Sequence, residues 1–436
     1  MSALLRTLAV FALILLIGRL KVPRTGKRVP LTVAILLGSA ALGGLFGLAP
    51  GALAGEALGA VVSPDMLILG VVILLLLSLS VLMQRIGQTE RIVELARSLL
   101  RRPAVAMSAL PALIGLLPMP GGALFSAPMV RTAAGEASSD GGLLSAVNYW
   151  FRHIWEHWWP LYPGVLLAVT YAEGYASYAA AMLPLGVAMG ATGLLLFRGT
   201  HGDLHAAASP PPAGTKRKLL WETSSIWMIV LVWLPAFLAV RVADLDGRGG
   251  EWGAAIGKYG PVLAGLLASF FWTMVASRHG LRPTLAILAR PSSYVLIGLV
   301  MSIMVFRAIL GHAGAASLIA EELKALHVPA ALVVVVLPFI AGMITGIAVG
   351  LVGVSFPIVI PVAAAHVGDG SILPYIVLAY GFGHLGQMLS PLHVCYVVSN
   401  RYFEVPFGPV YRRMLPTAVA MAVAIALYFL ALRTVL

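Results

Sequence analysis

The sequence predicts an all-α polytopic membrane protein in which ten transmembrane helices and two re-entrant helical hairpins form two inverted five-span repeats. Three observations predict this class: the composition, the lengths of the apolar runs and an internal repeat. Of the 436 residues, 60% are hydrophobic and 11% are charged, whereas charged residues make up about 25% of a soluble domain. The composition therefore excludes a cytosolic enzyme, a disordered regulator and a nucleic-acid-binding protein.

Ten apolar runs approach the length of about 20 residues that a helix needs to cross the hydrocarbon core. They lie at about 3–20, 30–48, 66–86, 145–170 and 177–197 in the first half, and at about 222–241, 258–277, 292–311, 372–397 and 414–434 in the second. Basic residues rather than a cleavage site follow the first run, so we interpret it as a retained helix. Prolines interrupt the runs at 145–170 and 372–397, and we expect both to be broken helices.

Two further apolar stretches, at about 103–131 and 328–361, are too long for one helix and too short for two crossings. Helix-breaking residues interrupt each stretch near its middle, at 118–122 in the first and at 345–350 in the second. Arms of about 13 residues would each rise about 20 Å. This length predicts re-entrant hairpins whose tips are buried in protein or face a water-filled cavity.

An internal repeat relates the two halves of the chain. The segment 67–128 aligns with 296–357, because each contains a span, a short amphipathic helix and a hairpin that ends in Ser-x-Pro. Farther along, a histidine and a Pro-Leu pair recur at matching positions in 153–161 and 384–392. Shared polar and proline positions in the same order favour a true repeat over a chance alignment of apolar sequence.

Basic residues set the orientation. The formal net charge is +12, from 29 Lys and Arg against 17 Asp and Glu, and an amino terminus outside places most of the basic residues in inside loops. Both termini of the multi-pass chain are then predicted to lie outside the inner cell membrane. The first repeat, 1–200, enters from outside and the second, 221–436, enters from inside, which makes them inverted. A cytoplasmic linker at 198–220 is predicted to join them.

Inverted repeats with paired hairpins and broken helices are typical of secondary transporters, whose substrate site lies near the membrane midplane. A half-helix that begins there directs backbone N–H groups and a positive dipole end to the site, which favours an anion such as a carboxylate. We expect substrate contacts from Pro120, Gly121, Gly122, Ser126, Asn148, Arg152, Thr345, Gly346, Gly350, Ser355, His384, Gln387 and Ser390. Plainer interpretations remain open, since glycine and proline break helices, serine bonds to a preceding carbonyl and Asn148 could cap its helix.

The densest polar cluster in any span contains Arg152, His153, Glu156 and His157. On an α-helix, positions i, i+3 and i+4 share one face, and ionisable groups at membrane depth are costly and mark functional sites. We predict that Glu156, His153 and His157 carry a coupling proton. Two alternatives are an interfacial patch within an aromatic belt of tryptophans, and the zinc-binding pattern H-x-x-E-H, for which the sequence shows no third ligand.

Three strings carry a resemblance to a known family: LPMPGGALFSAP at 117–128, NYWFRHIWEHWWPLYPG at 148–164 and GHLGQMLSPLHVC at 383–395. The chain resembles, over nearly its whole length, the integral membrane family called domain of unknown function 401, of the ion transporter superfamily. The resemblance implies substrate-carrying hairpins, a homodimer and elevator-like movement, as in gluconate, citrate and dicarboxylate permeases. The sodium-coupled dicarboxylate branch carries Ser-Asn-Thr at each tip, which this sequence lacks at 120–126 and 345–350.

Residues and resemblance together predict a cation-coupled secondary transporter of a small organic anion, either a carboxylate or a hydroxycarboxylate, in a lipid bilayer. H⁺ is favoured over Na⁺ as the coupling ion, because histidines titrate near neutrality. No catalytic residue, cofactor or metal is expected. One alternative is a Na⁺/H⁺-type antiporter without an organic substrate, and another is an intramembrane zinc enzyme. Arg307, in an apolar run near the outer end of its span, either snorkels to the interface or contacts substrate or a carboxylate.

Overall fold

The computed structural model describes residues 2–21, 26, 28–100, 102–116, 122–135, 140–198, 212–243, 249–277, 280–368 and 370–436. Within these ranges the chain is mostly helical, and the β interaction found there is an isolated bridge between Lys21 and Arg28. Pro120 and Gly121, which were predicted to bind substrate, lie outside the described residues, as does most of the predicted linker.

The first half of the chain forms ten α-helices in its described part. They are α1 (Ala3–Ile17), α2 (Leu31–Leu45), α3 (Pro50–Val62), α4 (Pro64–Arg85), α5 (Gln88–Leu99), α6 (Pro103–Gly115), α7 (Gly122–Ala134), α8 (Gly141–Arg152), α9 (Pro163–Val169) and α10 (Tyr175–Gly193). Two 3₁₀ helices, Ile154–His157 and Leu194–Phe197, follow α8 and α10.

The second half forms eleven α-helices in its described part. They are α11 (Thr215–Glu222), α12 (Ser224–Val242), α13 (Gly250–Ala276), α14 (Leu281–Leu288), α15 (Pro291–His312), α16 (Ala315–Ala325), α17 (Ala330–Thr345), α18 (Ala348–Val367), α19 (Leu373–Met388), α20 (Val394–Tyr402) and α21 (Phe407–Val435).

Seven helices in the described part of the chain are long and apolar enough to cross a membrane. They are α4, α10 with its 3₁₀ extension, α12, α13, α15, α18 and α21. The pair α16 and α17 forms an eighth candidate when taken together, although the two helices are bent by 120°. The protein is therefore a multi-pass membrane protein, and the ten-span arrangement with inverted repeats stays a prediction.

Four of the predicted spans are not single long helices. α1 and α2 contain 15 residues each and rise about 22 Å, less than the hydrocarbon core of about 30 Å. The predicted spans 145–170 and 372–397 are divided into α8, a 3₁₀ turn and α9, and into α19 and α20. Proline contributes to both breaks, because Pro163 opens α9, where its missing N–H costs nothing, and Pro391 follows α19.

The two hairpins differ in length. α6 and α7 have 13 residues each, as predicted, but α17 has 16 residues and α18 has 20. The prediction of about 13 residues for the second pair is wrong, because prolines inside α18 do not end it. Gly346 ends α17 with φ 66°, a left-handed conformation that glycine adopts without strain.

Two glycines bring the hairpin arms against the broken helices. Gly115 of α6 lies on the backbone carbonyl of Arg152, and Gly342 of α17 lies on the carbonyl of Gly383. A Cβ at either glycine would collide with the facing oxygen. The ends of α6 and α17 are thereby held against α8 and α19, the helices that carry Asn148, Arg152, His384 and Gln387.

Candidate functional site

A buried carboxylate lies where the break after α8 meets α19. Glu156 is 7% exposed, and its Oε2 accepts a hydrogen bond of 2.7 Å from Nε2 of Gln387. Nε2 of His384 lies 3.4 Å from the same oxygen, and Nε2 of His153 lies 3.8 Å from Oε1. One acidic group is therefore surrounded by an amide donor and two titratable bases.

His153, Glu156 and His157 were predicted to share one face of an α-helix, but they are not on an α-helix. They nevertheless lie in the same buried cluster. α8 ends at Arg152, and the next residues form a 3₁₀ turn with a different spacing of side chains. Glu156 faces His153, whereas the ring of His157 packs at a tilt against the ring of His384, with centroids 4.3 Å apart. The cluster is assembled by the turn together with α19, rather than by one helix face.

The hydrogen bonding of His153 defines a place for a proton. Its Nδ1 lies 2.6 Å from the backbone oxygen of Tyr149, and because a carbonyl can only accept, Nδ1 carries the hydrogen. In the neutral ring, Nε2 then presents a lone pair towards the carboxylate of Glu156. A proton on either group replaces this repulsion with an attraction.

Several buried polar atoms around Glu156 have no hydrogen-bond partner in the described part of the chain. They are Nε2 of His153, both ring nitrogens of His157, Nε2 of His384, Oε1 of Gln387 and Nδ1 of His393. Buried polar groups in proteins are nearly always paired. The cluster thus has unused capacity to bind protons or a polar ligand.

The tip of the first hairpin contacts this cluster through Arg152. The side chain is 4% exposed, and its guanidinium packs on Gly122, the first residue of α7, where a Cβ would collide with it. Nη1 donates a hydrogen bond of 3.3 Å to Sγ of Cys395. A guanidinium and the positive end of a helix meet here, which is an arrangement that favours an anion.

Asn148 is inside α8 and does not cap it, so the capping interpretation is wrong. Asp140 caps α8 instead, by accepting from two backbone N–H groups of the first turn. The amide Nδ2 of Asn148 donates to the backbone oxygen of Ala123 at 3.2 Å and to Oγ of Ser399 at 2.8 Å. Asn148 therefore ties the start of α7 to α20.

The second tip packs on the break between α19 and α20. Gly346 lies against the backbone of His393, and the ring of His393 meets the ring of His153 with centroids 4.8 Å apart. Gly350 lies under the side chain of Thr345. Both tips therefore border the same group of buried side chains, the first through Arg152 and the second through His393.

The predicted hydroxyl ligands bond to backbone carbonyls. Four residues predicted to bind substrate donate in this way: Ser126 to Gly122, Thr345 to Ala341, Ser355 to Leu351 and Ser390 to Met343. Their hydrogens are used within the protein, as the plainer interpretation expects. The hydroxyl oxygens can still accept a hydrogen bond.

The tryptophans near the cluster bond to the end of α6, and the aromatic belt stays an untested alternative. Nε1 of Trp155 donates to the backbone oxygen of Ala112 at 2.7 Å, and Nε1 of Trp159 donates to Leu116 at 3.0 Å. The hydroxyl of Tyr162 donates to the oxygen of Gly115. These donors bond to carbonyls at the carboxyl end of α6, where helical partners run out, so the segment after α8 supports the hairpin.

Sequence reasoning missed residues that matter to the geometry. Tyr380 donates from its hydroxyl to the backbone oxygen of Glu156 at 2.6 Å and stacks with His384. Its position one helical turn before His384 was the available signal. Tyr149 lies one helical turn before His153 and contacts it, so the same spacing was available there. Cys395 contacts Arg152, and no spacing in the sequence indicates that contact.

Three atoms in the cluster are of types that bind zinc. The ligand atoms of His153, His393 and Cys395 lie within 4.8 Å of one another. The Arg152 guanidinium donates to the same sulfur and places a fixed positive charge beside any bound cation. The set also lacks Glu156 and His157, so it is not the H-x-x-E-H set of the zinc-enzyme alternative, and we assign no metal chemistry to it.

The long apolar helices define a multi-pass helical membrane protein. The solved YdaH transporter of Alcanivorax borkumensis is similar over 99% of this chain and 97% of its own, with a TM-score of 0.57 and 17% identity. MtrF of Neisseria gonorrhoeae, described as one of a class of antimetabolite efflux pumps, matches 98% of this chain and 94% of its own, with a TM-score of 0.46 and 13% identity.

The chain belongs to the family described as Protein of unknown function (DUF401), whose model matches residues 8–209 and 261–433. The resemblance stated from the sequence strings is thereby confirmed for this family, while membership of the ion transporter superfamily stays a prediction. No curated protein matches the chain.

Proposed function

We propose that the protein is a proton-coupled secondary transporter of a small organic anion, a carboxylate or hydroxycarboxylate. The observation that carries the proposal is the position of Glu156, buried between His153, His384 and Gln387 where two broken helices meet. A carboxylate in the interior of a membrane protein is costly unless it is neutralised. Reversible protonation is the use that this arrangement serves best.

The anion would bind beside the proton site, between the two hairpin tips. Arg152 and the start of α7 supply positive charge there, and Arg recognises a carboxylate with two parallel hydrogen bonds. Binding of an anion to this charge stabilises a proton on the nearby Glu156 and His153 pair. Anion and proton therefore favour each other, which is the thermodynamic requirement for symport.

Alternating access follows from burial. Arg152, His153, Glu156 and His384 are all buried, so a substrate reaches them when one group of helices moves against the rest. We propose an elevator-type movement of the hairpins with the broken helices, in an inner-membrane homodimer whose termini lie outside. The inverted repeats at 1–200 and 221–436 supply the two related halves of this mechanism.

Uptake into proteoliposomes tests the proposal. A panel of organic acids is first screened by thermal shift, because a ligand that binds the native state raises its melting temperature. Glu156→Gln should then abolish accumulation driven by a proton gradient while exchange of the anion continues. Glu56→Gln is the matched control, since Glu56 also pairs with a histidine, His312, at 2.9 Å, but is only half-buried.

Two results would contradict the proposal. Normal accumulation by Glu156→Gln would remove Glu156 from the coupling mechanism. Sodium-dependent proton flux in vesicles that contain no organic anion would favour the Na⁺/H⁺-type antiporter.

A further inference from the structure

We propose that a cavity away from Glu156 is an outer binding site for an organic anion with a single carboxylate and a hydrogen-bond donor such as a hydroxyl. The choice of ligand class rests on the proposed function. The cavity measures about 430 Å³ and lies between the α3–α4 junction, the start of α13 and the end of α15. Its polar lining residues are Ser63, Asp65, Glu251, Lys258 and Arg307.

Arg307 is the cation in this cavity that is available to an anion. Nη1 donates to the backbone oxygen of Thr170 at 3.1 Å, and the guanidinium carbon lies 4.4 Å from the centre of the Tyr171 ring. Both partners are uncharged, and no carboxylate among the described residues forms an ion pair with it. A guanidinium held by neutral groups keeps its charge and several donors for a ligand.

The remaining charges decide what kind of anion fits. Lys258 is already engaged, since Nζ lies 3.7 Å from Oδ2 of Asp65. Glu251 lines the same cavity and has no ion-pair partner in the described part of the chain. One available cation facing one available carboxylate suits a ligand with one carboxylate and one donor group. A second carboxylate on the ligand would meet like charge.

Unused hydrogen-bonding groups lie behind the two cations of the cavity, on tyrosines that are not part of its lining. The hydroxyl of Tyr171, beneath Arg307, and the hydroxyl of Tyr259, next to Lys258, are buried and have no hydrogen-bond partner in the described part of the chain. Native structures leave few buried polar atoms unpaired. Both hydroxyls can donate to, or accept from, an oxygen-rich ligand.

Three aromatic rings lie between Arg307 and the buried cluster. The ring of Tyr171 meets the ring of Phe356 with centroids 5.6 Å apart, and Phe356 meets Tyr380 at 6.3 Å. Tyr380 in turn stacks with His384 and donates to the backbone of Glu156. An anion bound at Arg307 is therefore separated from the proton site by a short aromatic barrier. Since Arg307 lies at the end of α15 predicted to face outward, the cavity lies on the outer side.

Protection of an introduced cysteine tests the site without requiring transport. Ser63→Cys places a thiol in the lining, and a membrane-impermeant maleimide labels it from outside sealed proteoliposomes. The chain without this substitution, whose single cysteine is Cys395, gives the background labelling. Glycerate, which has one carboxylate and two hydroxyls, should slow labelling, whereas succinate at the same concentration should not.

Arg307→Gln should weaken protection by glycerate at least about tenfold, because hydrogen bonds to charged groups contribute about 1.5–3 kcal/mol. Arg6→Gln is a matched control. Arg6 likewise donates to a backbone oxygen, that of Leu45, at 3.1 Å and lies 5.5 Å from the centre of the Phe46 ring. Arg6 does not line the cavity, so glycerate should protect the introduced cysteine normally in the Arg6→Gln variant.

The outcomes separate this inference from the proposed function. Protection that persists in Glu156→Gln, where uphill transport is lost, supports a binding site that is distinct from the coupling site. Equal protection by succinate, absence of protection by glycerate, or unchanged protection in Arg307→Gln would each overturn the inference. Failure of the wild-type chain to accumulate any anion would overturn the proposed function. The protection assay would still decide whether the outer site binds glycerate.

Discussion

Gln387 supplies a hydrogen bond whose removal has a predictable effect on proton coupling. Its Nε2 donates to Oε2 of Glu156 at 2.7 Å, and both side chains are buried. Gln387→Met keeps a side chain of similar length but removes the donor. The ionised form of Glu156 loses a stabilising partner, while the protonated form loses much less, so the proton should bind more tightly.

The magnitude follows from the type of bond. A hydrogen bond to a charged group contributes about 1.5–3 kcal/mol, and each pH unit corresponds to about 1.4 kcal/mol. If transport requires the protonated form, activity falls as pH rises through a midpoint. That midpoint should move upward by about 1–2 pH units in the variant.

The assay is the pH dependence of anion uptake into proteoliposomes, with internal pH held constant. Gln88→Met is the control, because Gln88 is also buried but donates elsewhere, to the backbone oxygen of Glu222 at 2.6 Å and to Ser225 at 3.0 Å. Its midpoint should equal that of the wild-type protein. An unchanged or lower midpoint in Gln387→Met would refute the assignment of Glu156 as the proton-binding group.

Two further predictions concern packing and metal. Gly115→Ala should destabilise the protein by about 1–3 kcal/mol and lower its melting temperature, because the new methyl collides with the carbonyl of Arg152. Gly44→Ala is the control, since a methyl there enters open space and should not lower the melting temperature. Equal melting temperatures of the two variants would contradict the packing argument. Purified protein should contain far less than one zinc per chain, since Arg152 donates to Sγ of Cys395; stoichiometric zinc, lost in Cys395→Ser, would reverse that conclusion.

The sequence could predict which polar residues meet, but not the geometry that brings them together. Glu156 and Gln387 occupy matching positions in the aligned segments, and they form a hydrogen bond in the structure. His153 and His384 also match and lie on either side of the same carboxylate. The alignment therefore indicated a shared centre, since segments related by a repeat tend to meet at their interface.

What the sequence could not predict depends on contacts between distant segments. α3 was not predicted, because its run is short and contains Glu56. The 3₁₀ turn at Ile154–His157 accepts a hydrogen bond at the oxygen of Glu156 from the hydroxyl of Tyr380, which is 224 residues away in the sequence. The hydrogen bonds of Trp155 and Trp159 to the end of α6 could not be predicted either, because they join segments 43 residues apart.

The bonds from Trp155, Trp159 and Tyr162 to the end of α6 have a mechanical consequence. These three side chains come from the same short stretch of backbone as Glu156 and hold three carbonyls of the first hairpin. A displacement of that hairpin must either pull the stretch with it or break all three bonds together. As long as these three hydrogen bonds persist, the first hairpin and the segment that carries Glu156 move together.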